Sequence, residues 1–234
     1  MAAASTVTSL LFIGLVAAVA MLFVLATLKA FQGSGSSTAW LVLLAVVLDV
    51  MLVVPGVLAY LGFLDRYDTR PPVALVPVLV ATLCTVIVAA SSIGKRFARL
   101  PLSGLVGYQL FRLPVEWLLH RLFLEGAVPV QMTFHGRNFD IISGITGGLL
   151  GLWLLGKRES PLLVTLWNCL GLALLANIVA VAVVSTPAPF RMFLEEPANR
   201  LPGVFPYVWL PTFLVQAALF GHLIVFRALS RRSG

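Results

Sequence analysis

The chain has 234 residues, of which 60% are hydrophobic and 11% charged, and its formal net charge is +7. Soluble domains run at about 45–50% apolar and about 25% charged residues, so a soluble globular domain, a disordered chain and a disulfide scaffold are excluded. What remains is an all-α polytopic membrane protein, read as one domain over residues 1–234.

The positive charge is not a nucleic-acid signal, and no nucleic-acid partner is expected. Lys and Arg sit at the ends of apolar runs, where orientation in a membrane places them, and not in a stripe along a polar face. Cys84 and Cys169 both fall inside apolar runs and are expected as small buried hydrophobes. They supply neither a disulfide framework nor a zinc motif.

A membrane-spanning helix needs about 20 apolar residues. In chain order the apolar runs cover residues 7–30, 40–64, 72–93, 102–124, 139–156, 161–184 and 204–228, which predicts seven transmembrane helices. No Lys or Arg precedes the first run, so it reads as a permanent helix and not as a secretory signal. No internal repeat is visible.

Charge sets the orientation. With the N-terminus outside, the inner side holds Lys29, Lys95, Arg96, Arg99, Lys157, Arg158, Arg227, Arg231 and Arg232, and the outer side holds Arg66, Arg70, Arg137, Arg191 and Arg200. Acids show the opposite bias, with only Glu159 inside. Without the fourth span the contrast weakens to nine against seven basic residues. The seven-helix reading, N-terminus outside and C-terminus inside, therefore fits the positive-inside rule better.

The fourth helix is the unusual one. Gln109, Arg112, Glu116 and His120 are spaced three, four and four apart, which places them within about an 80° arc. A charge at the bilayer centre costs roughly 2.5–3.5 kcal/mol, so this stripe should face the bundle interior. Arg121 lies off the stripe and is expected to snorkel. Arg112 and Glu116 can neutralise each other one turn apart. Asp49, in the middle of the second helix, matches Arg112 in depth, and a buried Asp49–Arg112–Glu116 cluster is expected. It serves either as a ligand or proton site or as a salt-bridge network that locks helices together.

Further polar residues lie at membrane depth. Gln109, Asn168 and His222 are expected to form an inner polar layer, with Gln216 near the midplane and Asn177 further out. His120 and His222 are too far apart in depth to share a metal ion. His120 and His135 can approach each other, with Asp140 or Glu125 as a third ligand, yet no metal site is expected. The only lysines, Lys29, Lys95 and Lys157, sit at helix ends, which rules out a retinal Schiff base within a span. No Gly-x-Ser-x-Gly context accompanies Ser103 or Ser143, which argues against a serine protease. No cofactor is expected.

Between the fourth and fifth helices, Asn138 reads as an N-cap and Asp140 as an acid in the first turn. Arg137 is expected to pair with Asp140 or Glu125. His135, Arg137, Asn138 and Asp140 form a candidate outer mouth. Gly144, Gly147, Gly148 and Gly151 give small-xxx-small spacing, so this face should pack tightly against another helix. A homo-oligomer or a partner membrane subunit is a candidate for that contact.

The stretches FRLPVEWLLHRLFLEG (111–126) and VPVQMTFHGRNFD (128–140) resemble segments of a bacterial family of multi-pass membrane proteins with no assigned activity. The resemblance implies a bacterial inner-membrane protein and implies no chemistry.

The last outer loop, 185–203, is expected to hold a short interfacial helix with Arg191, Glu195 and Glu196 toward water, followed by Tyr207 and Trp209 as interface anchors. Pro55, Pro77, Pro114 and Pro211 lie inside spans, and bent helices of this kind often line cavities. The leading expectation is a pocket on the fourth helix that binds or transports a small polar or charged ligand in the lipid bilayer. The alternatives are a membrane enzyme using Glu116 or His120 as acid/base, and a structural or accessory subunit.

Overall fold

The last long helix is the axis of the molecule. In a computed structural model describing residues 4–33, 37–156 and 160–232, it runs as a π-helical turn, Leu210–Leu214, into α10 (Val215–Arg232). In its most apolar stretch 67% of residues are buried, against 17–33% in the other four helices long and apolar enough to cross a membrane.

Those four are α1 (Thr6–Ala30), a rod made of α2 (Ser37–Leu48), a π-helical turn Asp49–Val53 and α3 (Val54–Tyr60), then α4 (Val76–Ala90) with the 3-10 turn Val73–Leu75 before it, and α9 (Pro161–Val184). A short α5 (Ser92–Phe97) follows α4. Next comes a continuous rod of α6 (Leu102–Gly107), a 3-10 turn Tyr108–Phe111 and α7 (Arg112–Leu124). The last piece, α8 (Ile141–Leu155), is apolar but shorter. The described residues contain no strand.

Packing follows from side-chain size. α10 lies against α4, α5, α6 and α9, while α8 lies against α6 and α7. The close approach of α8 depends on glycine. A Cβ on Gly151 would fall 2.5 Å from the Gly107 Cα, and one on Gly147 would fall 2.8 Å from the Trp167 ring. The glycine face is therefore spent inside the chain, which removes it as a surface for a second copy or another subunit.

Prolines free backbone carbonyls that other helices then satisfy. Pro55 has no N–H for the Met51 carbonyl; the Thr212 hydroxyl donates to that oxygen at 3.0 Å, and the Trp209 indole donates to the Leu52 carbonyl at 2.7 Å. Trp209 thus ties two helices together, and Tyr207, buried against Phe12 with its hydroxyl 2.9 Å from that of Ser9, ties a third. Tyr207 is buried and so faces protein, while Trp209 stays partly exposed. The segment 190–196 is irregular, so the expected interfacial helix is not formed; Arg191 instead closes on Glu196 at 2.9 Å. Cys84 is half-buried and Cys169 exposed, and both are free thiols, so the expectation of two buried cysteines fails. Lys157, Arg158 and Glu159, which enter the charge count, lie outside the described residues.

Candidate functional site

The decisive local feature is the segment after α7. Gly126, at φ +70°, ends that helix: its N–H bonds the Phe123 carbonyl and the Ala127 N–H bonds the Leu122 carbonyl. This left-handed glycine closure turns the chain back on itself. Residues 127–140 then descend beside α7, with Ala127, Val128, Met132, Thr133 and Asn138 buried. Arg112 lies 12 residues before Leu124, about 18 Å along the helix axis, and Asp140 reaches it. Irregular backbone at such depth is tolerated where protein surrounds it.

Arg112, Glu116 and Asp140 form the core of the site, with exposures of 2%, 2% and 5%. Arg112 Nη1 and Asp140 Oδ1 stand 3.1 Å apart as an ion pair. Their angle is not that of a hydrogen bond, and Nε, Nη1 and Nη2 of Arg112 find no protein acceptor. Glu116 Oε2 accepts a 2.6 Å hydrogen bond from Asn138 Nδ2, whose second contact is the Met132 carbonyl at 3.0 Å. Asn138 Oδ1 accepts from the Asp140 N–H at 3.0 Å. Asn138 is therefore a local turn former and a carboxylate donor, and Asp140 itself stands at the N-cap position of α8.

Two expected partnerships are not formed. Asp49 does not join Arg112; it is exposed on the outer surface of its π-helical turn and makes no ion pair among the described residues. Arg112 and Glu116 do not bridge each other, since each faces a residue from the descending segment. A match in expected depth says nothing about which way a helix face points.

Arg112, Glu116 and Asp140 line a cavity of about 260 Å³, whose other walls come chiefly from α4, α9, the loop at 199–202 and the last helix from its π-helical turn into the start of α10. The remaining lining is mostly Leu, Val, Ile and Ala, with Thr82, Thr186, Asn199 and Gln216 as its polar members. Gln216 reaches it too, donating to Thr82 Oγ1 and the Pro211 carbonyl, both at 3.0 Å, while its own Oε1 has no donor.

The other candidates separate from this site. Gln109 and Asn168 attach to α10, which carries His222: Gln109 donates to the Ala218 carbonyl at 3.1 Å, and Asn168 bonds both the His222 carbonyl (3.0 Å) and Nδ1 (2.7 Å). These are ties between helices of the kind common in membrane bundles. Asn177 donates to the Arg137 carbonyl at 2.8 Å.

The expected mouth divides in two. Asn138 and Asp140 turn inward, whereas His135 and Arg137 stay exposed. The Arg137 guanidinium lies 5.0 Å from the Phe193 ring and pairs with neither Asp140 nor Glu125. The His120 and His135 rings do approach, at 4.8 Å, beside Phe134. No group of three metal-binding side chains is found among the described residues. Asp140 serves Arg112, and Glu125 is held by Ser5, Thr8 and Arg121. Slight burial raises the Glu125 carboxyl, but hydrogen bonds from Thr8 and Ser5 and the Arg121 charge outweigh it and hold the group below its ordinary range.

Compared with family models, curated proteins and solved structures, the chain finds no match.

Proposed function

We propose that this chain is a ligand-binding or transporting protein of a bacterial inner membrane, with seven spans, an outer N-terminus and an inner C-terminus. Its pocket takes a small ligand through a polar or charged group held at Arg112. One observation carries the reading: a guanidinium buried to 2% exposure lines a cavity of about 260 Å³ with its N–H groups lacking acceptors. Leaving such donors unmet costs about 1–3 kcal/mol or more, a penalty that a bound acceptor removes.

The seven-span topology is supported by the charge count and by the two further rods, residues 102–124 and α8, which pack on each other and on the apolar helices; α8 also presents an exposed apolar face of Ile145, Leu149 and Leu152. Accessibility labelling of tags at both ends tests it; an inner N-terminus overturns it.

The binding reading is tested by thermal denaturation of purified protein against a panel of small anions and polar solutes. Ligands that bind only the folded state raise the melting temperature in a saturable way. The expected result is a stabilisation present in the wild type and absent in folded Arg112→Gln. An identical response in both proteins overturns it.

A second reading, an accessory subunit, is favoured by Asp49, an acid exposed halfway along an apolar rod. If the neighbour is a second copy, Asp49→Cys forms a disulfide-linked dimer in native membranes. The enzyme reading gains no such support, since Glu116 bonds Asn138 while His120 stacks toward His135.

A further inference from the structure

The cavity at Arg112 has a side opening. α4 and α9 both pack on α10, yet they form no substantial interface with each other. In the gap between them runs one stripe of the last helix, Pro211, Val215 and Leu219, spaced four apart. All three line the cavity, and all three are partly exposed while their neighbours Leu214, Gln216 and Ala218 are buried. Val78 on α4 and Val179 on α9 flank the stripe and are likewise partly exposed. Each of these residues belongs to a helix long and apolar enough to cross a membrane. The opening therefore faces hydrocarbon and not water.

Most of the lining is apolar. The charged side chains Arg112, Glu116 and Asp140 gather on one wall, with Gln216 and its partner Thr82 nearby and Thr186 and Asn199 as the other polar members. There, N–H donors of Arg112 lack acceptors, while Asp140 Oδ1 and Gln216 Oε1 lack donors. A hydroxyl is the smallest group that meets both needs, because it accepts and donates at once. It is also uncharged, so it crosses the bilayer interior without the cost a carboxylate or ammonium head would carry. Asp140 already pairs with the guanidinium and Glu116 lines the same cavity, so an anionic head would add a like charge.

Resting on the binding reading above, we infer that the natural ligand is a single-chain lipid alcohol that enters from the bilayer between α4 and α9 and sets its hydroxyl between Arg112 and Asp140. The chain fills the apolar body of the cavity. Straight-chain and isoprenoid alcohols share this chemistry.

The test uses the full-length protein in nanodiscs with photoactivatable probes: diazirine-bearing hexadecan-1-ol, diazirine-bearing farnesol, and the hexadecanoic acid and methyl ester analogues. Adducts are mapped by mass spectrometry. The expected result is labelling of α4, α9 and α10 residues in the gap by one or both alcohols. Competition should show the acid and ester to be weaker by about tenfold, the worth of one charge-assisted hydrogen bond. Val179→Trp, which plugs the gap, should abolish the labelling, and Val78→Trp serves if that variant does not fold. Arg112→Gln should weaken it by a similar factor.

Three results overturn the inference. One is labelling unchanged by either tryptophan. Another is adducts confined to the larger cleft between α1 and α8, of about 900 Å³. The third is a water-soluble solute that stabilises the wild type, but not Arg112→Gln, with no probe in the cavity; this leaves the binding reading intact and removes only the lipid. If neither probe nor solute responds to Arg112, both fall together.

Discussion

Asp49 and Arg112 both stand near the middle of apolar helical rods, yet the fold treats them in opposite ways. Arg112 is buried and met by an acid from a segment that folds back to its level. Asp49 sits on the surface of the bundle beside Val46 and Val53, which are exposed as well. The difference teaches that depth alone does not bring charges together. Pairing requires that the two side chains share an interior face, and only the 127–140 segment delivers one to Arg112.

Replacing Arg112 by Leu attacks the buried half of the comparison. It strands Asp140 without its cation, and breaking a buried pair in this way costs about 3–5 kcal/mol. Denaturant titration in micelles should show that loss, with a sizeable part recovered when Asp140→Leu is added. A cost as small as that of Asp49→Leu would end the distinction between the two sites.

Next in size is the packing that brings α8 and its Asp140 to α7. Gly151→Ala drives a methyl into the Gly107 backbone, which has no side chain to yield, and overpacking of this kind costs about 1–3 kcal/mol. Gly14→Ala in α1 meets nothing within 4 Å and should be stabilising by up to about 1 kcal/mol. Opposite signs from the same chemical change would tie the site to glycine-mediated approach.

Glu125 offers a weaker, exposed ionic contact than the buried cluster. Its folded-state value lies below the ordinary 4.5, so its contribution is present above that pH and is lost as pH falls through the lowered value. Melting temperature followed from about pH 6 to pH 3 should decline with a component that Glu125→Gln removes. Surface pairs of this kind contribute about 0.2–1 kcal/mol. The smallest effect belongs to Asp49→Leu, expected within about 0.5 kcal/mol for the isolated chain. A large loss there would mean that Asp49 has a structural partner within the protein.

The five long apolar helices were readable from run length, because hydrocarbon thickness imposes a length on the sequence. Burial of Gln109, Arg112 and Glu116 was readable from their helical spacing. The partner of Arg112 was not, because Asp140 reads as a first-turn acid of the run 139–156, at an outer mouth, as if the loop before it stayed at the surface. Val128, Met132 and Thr133 were the available signal: a loop that carries such residues beside a charged helix has reason to be covered. Asp49 was misplaced for a different reason. Its rod is apolar on every side, so the sequence holds no contrast to say which face looks inward.

The back-folded segment also imposes an order on synthesis. Asp140 follows Arg112 by 28 residues. A ribosome therefore makes the guanidinium well before its acid exists. During that interval the 102–124 rod carries an unmatched cation, and the descending backbone has no α8 to lie beside. The hairpin from α7 to the start of α8 is thus the smallest stretch of chain that holds both members of the ion pair, and a chain truncated between Glu125 and Asp140 leaves Arg112 without its acid.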